Sequence, residues 1–212
     1  AAIAVTLLGS AAVLAQGQPQ PQMPMSFFVT SNPPGHGSLG GLAGADQICQ
    51  NLAAAANAGN RTWHAYLSQT QQGAQPSVNA RGRIGNGPWY NAKGVLIASS
   101  VADLHGDNMR DRNNIQKVQA LTEKGEVVQG FGDMPNEHDI LTGSDSEGRA
   151  FPAGFDVTCN NWTSNTSMNR AMVGHSDRQG GANTSWNSAH PSQGCSREDL
   201  VRTGGAGKFY CF

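Results

Sequence analysis

The chain has 212 residues, and 14 Lys and Arg against 15 Asp and Glu give it a formal net charge of −1. Only 14% of its residues are charged, against roughly 25% in a typical soluble domain. Without an excess of cations, the chain is neither a nucleic-acid binder that works by bulk charge nor a polybasic membrane-surface protein. The 38% of hydrophobic residues can form a core, while 27 Gly and 10 Pro indicate many loops and turns.

The first residues are typical of an export signal. Residues 1–15 are apolar or small and end in Val13-Leu14-Ala15, which resembles the hydrophobic part and cleavage site of a secretory signal peptide. The alternative is a retained hydrophobic anchor, and only then would the chain contact a membrane. Residues 16–24 are a Gln/Pro-rich linker, and we predict one domain over residues 25–212. We therefore expect a secreted, periplasmic or cell-surface protein.

The first half of the domain contains one clear helical pattern between two β-prone runs. The run at 26–30 is apolar, and residues 61–67 alternate as a half-buried strand should. Between them, the spacing of apolar residues predicts an amphipathic helix over 41–56. Its inward face carries Ala45, Ile48, Cys49, Leu52 and Ala56.

The pattern of the rest of the chain predicts short strands joined by turns. Residues 89–98 resemble a hairpin, and turns are predicted at 123–126 and 144–148. From Cys159 onward Asn, Ser, Thr and Gly dominate, which is typical of a long irregular surface region. Residues 208–212 are predicted to form the last strand. The sequence therefore predicts a loop-rich α+β fold with one or two helices and a mixed sheet of short strands.

The cysteine count agrees with export. An exported chain with four cysteines favours two disulfides, and the sequence by itself allows three pairings. The cysteines are Cys49, Cys159, Cys195 and Cys211.

Several motifs resemble the endostatin domain of collagens XV and XVIII. A Gly-rich loop leads into Gly44-Ala45-Asp46-Gln47-Ile48-Cys49, and the strand Trp63-His64-Ala65-Tyr66-Leu67-Ser68 follows about a dozen residues later. Further similar motifs lie in the same order as in that family, although residues 70–135 match poorly. They are Thr142 to Arg149, Cys159-Asn160-Asn161-Trp162, Gly194-Cys195 and Phe209-Tyr210-Cys211.

The resemblance implies a C-type-lectin-like, endostatin-like fold with nested disulfides, Cys49–Cys211 and Cys159–Cys195. It does not transfer the ligands of the family. The zinc site of endostatin uses histidines near its N-terminus, where this chain has only His36, and heparin binding uses an arginine surface, whereas this chain has no cationic excess.

The region between Cys159 and Cys195 contains candidate ligand-binding residues. Tryptophan rings beside Asn side chains suit sugar stacking and hydroxyl hydrogen bonds, although the favoured interpretation is that these tryptophans pack beneath irregular loops. The candidates are Asn161, Trp162, Trp186, Asn187 and His190.

Two stretches rich in carboxylates and amides are candidates for calcium, which prefers six to eight oxygen ligands. The favoured interpretation is that these residues cap helices and form turns; calcium is the alternative. One stretch contains Asp103, Asp107, Asn108 and Asp111, and the other Asp133, Asn136, Glu137 and Asp139.

These observations favour a non-catalytic exported module that binds a glycan or an extracytoplasmic protein through the region between Cys159 and Cys195. One alternative is a membrane-anchored structural or accessory subunit of a larger extracytoplasmic assembly. Another is a metal-dependent hydrolase that uses His105, His138 and His175. Because no G-x-S-x-G or HExxH motif is present, we do not expect an enzyme.

Overall fold

A computed structural model describes residues 22–106 and 113–212. The predicted signal or anchor at 1–15 and most of the linker at 16–24 lie outside the described residues. So do Asp107, Asn108 and Asp111 of the first candidate calcium stretch. Within the described residues, no helix has the length and apolar character that a membrane crossing requires.

A five-stranded mixed sheet organises the domain. Its strand order is β1-β7-β4-β5-β6, with β4 parallel to β7 and the other neighbours antiparallel. A separate hairpin joins β2 to β3, as the sequence predicts. The strands are β1 (Phe28–Val29), β2 (Trp89–Tyr90), β3 (Leu96–Ala98), β4 (Asp139–Leu141), β5 (Met172–His175), β6 (His190–Pro191) and β7 (Gly205–Cys211).

The predicted first helix is confirmed as α1 (Gly41–Ala55), with Ala45, Cys49 and Ala53 on its buried face. The sequence analysis did not foresee the short helices α2 (Val101–His105), α3 (Cys159–Trp162) and α4 (Arg197–Thr203). All residues of α3 have positive φ angles, so this element is a single left-handed turn.

Residues 61–67 are extended but do not form the predicted strand. They contact the end of β7 through one isolated bridge, Ala65 to Cys211, and through hydrogen bonds such as Tyr66 N–H to Tyr210 O, 2.9 Å. The predicted alternation is nevertheless present. Trp63, Ala65 and Leu67 lie in one core cluster, while Tyr66 lies in the second cluster.

The region after Cys159 is more regular than the sequence indicates. It contains β5, the strand between β4 and β6, as well as β6 and α4. Gly174 of β5 lets the 183–188 loop lie directly on the strand, because a Cβ atom there would be 1.8 Å from the carbonyl oxygen of Trp186. A strand with this glycine and only four residues gives a weak sequence signal.

Both disulfides have the nested pairing that the resemblance implies. Cys49–Cys211 ties α1 to β7, and Cys159–Cys195 closes the segment that contains β5 and β6. One core cluster packs α1 against the sheet and includes both disulfides, while the other contains most of the large aromatic rings. The α+β class with few helices and two disulfides is therefore confirmed.

Candidate functional site

The two tryptophans proposed as a sugar-stacking surface are core residues. Trp162 and Trp186 are both 0% exposed. The indole N–H of Trp162 donates to the carbonyl oxygen of Ser68, 2.8 Å, and the Trp186 ring packs against Tyr66 and Tyr210. Stacking on a sugar needs an uncovered ring face, so the expectation for these two rings is wrong and the core interpretation holds.

The neighbouring amides are also structural. Asn161 accepts from the Thr70 N–H and donates to the Thr70 carbonyl, both at 2.9 Å. The side-chain N–H group of Asn187 donates to the Tyr66 hydroxyl and to the carbonyls of Asp145 and Ser146. Buried amides with these bonds hold loops together and have little capacity left for a ligand. Asn161 and Asn187 were expected to contact a ligand, but the structure buries both in internal hydrogen bonds.

The candidate calcium residues that the structure describes do not assemble into oxygen cages. Asp103 accepts from the N–H and hydroxyl of Ser99, beside the start of α2. Asp133 pairs with Lys117 at 2.7 Å and Glu137 with Lys208 at 3.4 Å. Asn136 accepts from the N–H of His138, 3.3 Å. These are the turn and ion-pair roles that Asp and Asn ordinarily have.

A polar cavity of about 680 Å³ lies beside the 183–188 loop. Most of its described lining side chains are polar and able to form hydrogen bonds. They come from three parts of the chain, around 105–116, 146–147 and 178–185. Its polar lining includes Asn114, Gln116, Ser146, Arg178, Asn183 and Thr184.

The walls of this cavity are held rigidly. The Arg178 guanidinium donates to the carbonyl of Ile115 and to Oδ1 of Asn113, both at 2.6 Å. Asn187 pins the 144–148 turn to the 183–188 loop from behind, with Trp186 anchored in the core. Two of the predicted ligand residues, Trp186 and Asn187, thus support the cavity wall without lining it, and the wall is formed without a ligand.

A second arrangement lies at the start of the central strands. Asp139 begins β4 and pairs directly with His175 of β5, while His190 of β6 pairs with Val173. Since alternate residues of a strand face the same side, Asp139, His175 and His190 share one face of the sheet. His138 precedes β4, and its ring stacks on that of His175 with centroids 4.3 Å apart.

The Nε2 atoms of these histidines converge on one carboxylate oxygen. Those of His138, His175 and His190 lie 3.3, 3.4 and 3.6 Å from Oδ1 of Asp139. The Asp139 side chain is only 1% exposed, and neither of its oxygens has a hydrogen-bond partner. Within the described residues, His138, Asp139 and His175 are the group whose geometry could hold a metal ion.

Local charges set the protonation of this cluster. Burial and the neighbouring His138 lower the pKa of His175, although Asp139 opposes them. The Asp139 carboxylate raises the pKa of the half-exposed His190 against the effect of burial. Burial would raise the pKa of Asp177, but hydrogen bonds from His138 and from the backbone N–H groups of Phe131 and Gln179 lower it below its usual range.

Sequence reasoning assigned Asp139 to a calcium loop and His190 to a sugar site, and it named His138 and His175 only as hydrolase candidates. The structure brings these residues together. The available signal was the pairing of histidines with carboxylates in His138-Asp139 and His175-Ser176-Asp177, which suits imidazole-rich metal sites better than calcium.

Comparison of the sequence with protein-family models and with curated proteins finds no match.

Proposed function

We propose that the protein is an exported, non-catalytic binding module with an endostatin-like, C-type-lectin-like fold that recognises a glycan. Two disulfides in a domain of this size support an oxidising, extracytoplasmic compartment. The polar cavity described above carries the proposal. It is partly built from the segment between Cys159 and Cys195 that the sequence analysis singled out.

The chemistry of the cavity suits a saccharide. Sugar hydroxyl groups both donate and accept hydrogen bonds, and amide side chains can do both in return. Gln116, Ser146 and Thr184 are exposed at the cavity. Asn114 and Asn183 are exposed there too but already bond the backbone, and Arg178 is held in place by the protein itself. A preformed wall reduces the conformational entropy lost when a flexible polar ligand binds.

A glycan array probed with the full chain tests this function, followed by titration of the best sugar. Gln116→Ala should weaken binding of that sugar by about 5- to 10-fold, because one hydrogen bond contributes about 1 kcal/mol. Gln47→Ala is the matched control, since Gln47 is an exposed glutamine on α1 that bonds only Asn51.

Equal weakening by both variants would remove the cavity as the site. The absence of any bound sugar would contradict glycan recognition and favour a protein partner.

A further inference from the structure

The histidine–aspartate cluster carries a second function that is independent of the cavity. We propose that His138, His175 and the carboxylate of Asp139, whose ligand atoms lie within 4.8 Å of one another, bind a zinc-class divalent metal ion, and that His190 moves in to complete a tetrahedral site with a structural role. The site differs in position from the zinc site of endostatin, which lies near the N-terminus of that domain.

The orientation of the imidazole rings points to a cation between them and Asp139. Nδ1 of His138 lies 2.9 Å from Oδ1 of Asp177, and Nδ1 of His190 lies 3.1 Å from the carbonyl oxygen of Pro191. Both acceptors place the ring proton on Nδ1. The Nε2 atoms of these two rings therefore face the carboxylate of Asp139, and a positive charge is needed between them, which a bound metal ion supplies for both rings and a proton on His190 supplies for that ring alone.

The distances from Asp139 to the three imidazoles are those expected around a tetrahedral zinc ion, and the ligand atoms of His138, Asp139 and His175 all lie within 4.8 Å of one another. Zinc–nitrogen and zinc–oxygen bonds of about 2.0–2.1 Å place tetrahedral ligand atoms roughly 3.3–3.4 Å apart. The distances from Oδ1 of Asp139 to the three Nε2 atoms are 3.3, 3.4 and 3.6 Å. No hydrogen bond accounts for these approaches, because both oxygens of Asp139 and both ring nitrogens of His175 are without a partner.

The outer contacts match those of metal-binding histidines elsewhere. A ligating histidine commonly donates its other N–H to a carboxylate or a backbone carbonyl, which orients the ring. Asp177 has this role for His138 and the Pro191 carbonyl has it for His190. Gly130 lets the 130–137 loop approach Asp177, since a Cβ atom there would lie 2.4 Å from its Oδ2.

The donor set selects the class of metal and the role. Calcium requires six to eight oxygens, whereas imidazole nitrogens suit zinc and its transition-metal neighbours. Four protein ligands complete a tetrahedral sphere and leave no position for a substrate or a reactive water, which is typical of structural sites. The ion would join the 131–138 segment to β4, β5 and β6.

Two rings must move when the ion binds, namely His175 and the half-exposed His190, which lies outside the group of mutually close ligand atoms. The rings of His138 and His175 are nearly parallel, at 11°, whereas two rings that ligate one ion must both point at it. His138 is held by Asp177, but His175 has no hydrogen bond on either nitrogen. His175 can therefore tilt without breaking a hydrogen bond.

Zinc titration of the metal-free full chain tests the site, with cobalt(II) as a spectroscopic substitute. We expect one zinc ion per chain and the intense visible bands of tetrahedral cobalt(II). His190→Ala should lower the zinc affinity by more than about 100-fold, because loss of an outer contact alone lowers metal affinity by about 10- to 100-fold. The side chain of His190 is 38% exposed, so this variant is expected to fold.

His64→Ala is the matched control. The side chain of His64 is 40% exposed and also lies beside a carboxylate, Asp46, at 3.1 Å, but it belongs to no cluster. Its replacement should leave zinc affinity unchanged. Asp139→Asn keeps the shape of the side chain and should abolish the tetrahedral cobalt spectrum, with circular dichroism to confirm that the variant is folded.

Failure of the wild-type chain to bind zinc would overturn the proposal, and so would equal affinities of the His190→Ala and His64→Ala variants. An octahedral cobalt spectrum would overturn the tetrahedral ligand set. None of these outcomes bears on sugar binding by the cavity.

Discussion

Two aspartates of this domain each lie beside histidine, yet their surroundings are opposite. Asp46 on α1 accepts the N–H of Ala65 at 2.8 Å and two hydrogen bonds from Arg83 at 2.9 and 2.7 Å, with His64 at 3.1 Å. Asp139 is more deeply buried, faces three imidazoles and has no hydrogen bond. A carboxylate that stabilises a fold has its oxygens satisfied by the protein, whereas one left unsatisfied among imidazoles is suited to a metal ion.

The largest effect should come from Asp46→Ala. The substitution leaves Arg83, whose side chain is 12% exposed, and the Ala65 N–H without their partner. Breaking a fully buried pair costs about 3–5 kcal/mol, and the partial exposure of Asp46, 24%, reduces this to about 2–4 kcal/mol. Urea unfolding of the metal-free protein measures the loss.

Asp139→Asn should cost less than Asp46→Ala in that same metal-free protein, about 1 kcal/mol or less at about pH 8.5, because Asp139 accepts no hydrogen bond from the described backbone or from a guanidinium and its contribution to His190 is lost at high pH. Glu198→Gln, at an exposed position, is the control for loss of charge and should stay within about 0.5 kcal/mol. Equal destabilisation by Asp46→Ala and Asp139→Asn would show that the two aspartates contribute equally to the stability of the metal-free fold.

Zinc should stabilise the chain only while Asp139 is present. A ligand at 100 times its dissociation constant stabilises the folded state by about 2.7 kcal/mol. Thermal unfolding of the wild-type chain should therefore shift upward with zinc and return with chelator, whereas the Asp139→Asn variant should not respond. A response of the same size in the variant would place the ion elsewhere.

Asp177→Asn should have a smaller effect, through the orientation of His138. Loss of such an outer contact lowers metal affinity by about 10- to 100-fold, which corresponds to about 1.4–2.7 kcal/mol. Asp156→Asn is the matched control, since Asp156 also accepts backbone N–H groups, those of Thr158 and Asn160, but contacts no histidine. Zinc titration of both variants should separate them; equal affinities would show that Asp177 does not orient a ligand.

The elements that sequence reasoning located depend on local patterns. The α1 helix follows from the spacing of Ala45 and Cys49, and the hairpin at 89–98 from its turn residues. The nested disulfide pairing came from the motifs around the cysteines, not from their spacing.

The metal cluster and the burial of the tryptophans depend instead on strand register. His190 lies near Asp139 only because a two-residue strand pairs with β5, and neither strand has enough residues to show a period. For Trp186 the sequence favoured burial beneath the loops but left an exposed ring open, because loop composition alone does not determine which side chains face inward.

The smallest predicted effect is the pH dependence of His190 in the metal-free chain. Its pKa is raised in the folded state by the Asp139 carboxylate, so protonation of His190 stabilises the fold below the pKa of the unfolded chain. This contribution is lost as pH rises through the folded-state pKa. Because the ring is 38% exposed, solvent screening keeps it well below about 1 kcal/mol.

The destabilisation caused by His190→Ala in chelator should therefore be larger at about pH 5.5 than at about pH 8.5. His64→Ala serves again as the control, since the side chain of His64 is similarly exposed, at 40%, and lies outside the cluster. A His190→Ala effect that is equal at both pH values would show that Asp139 does not act on His190 electrostatically.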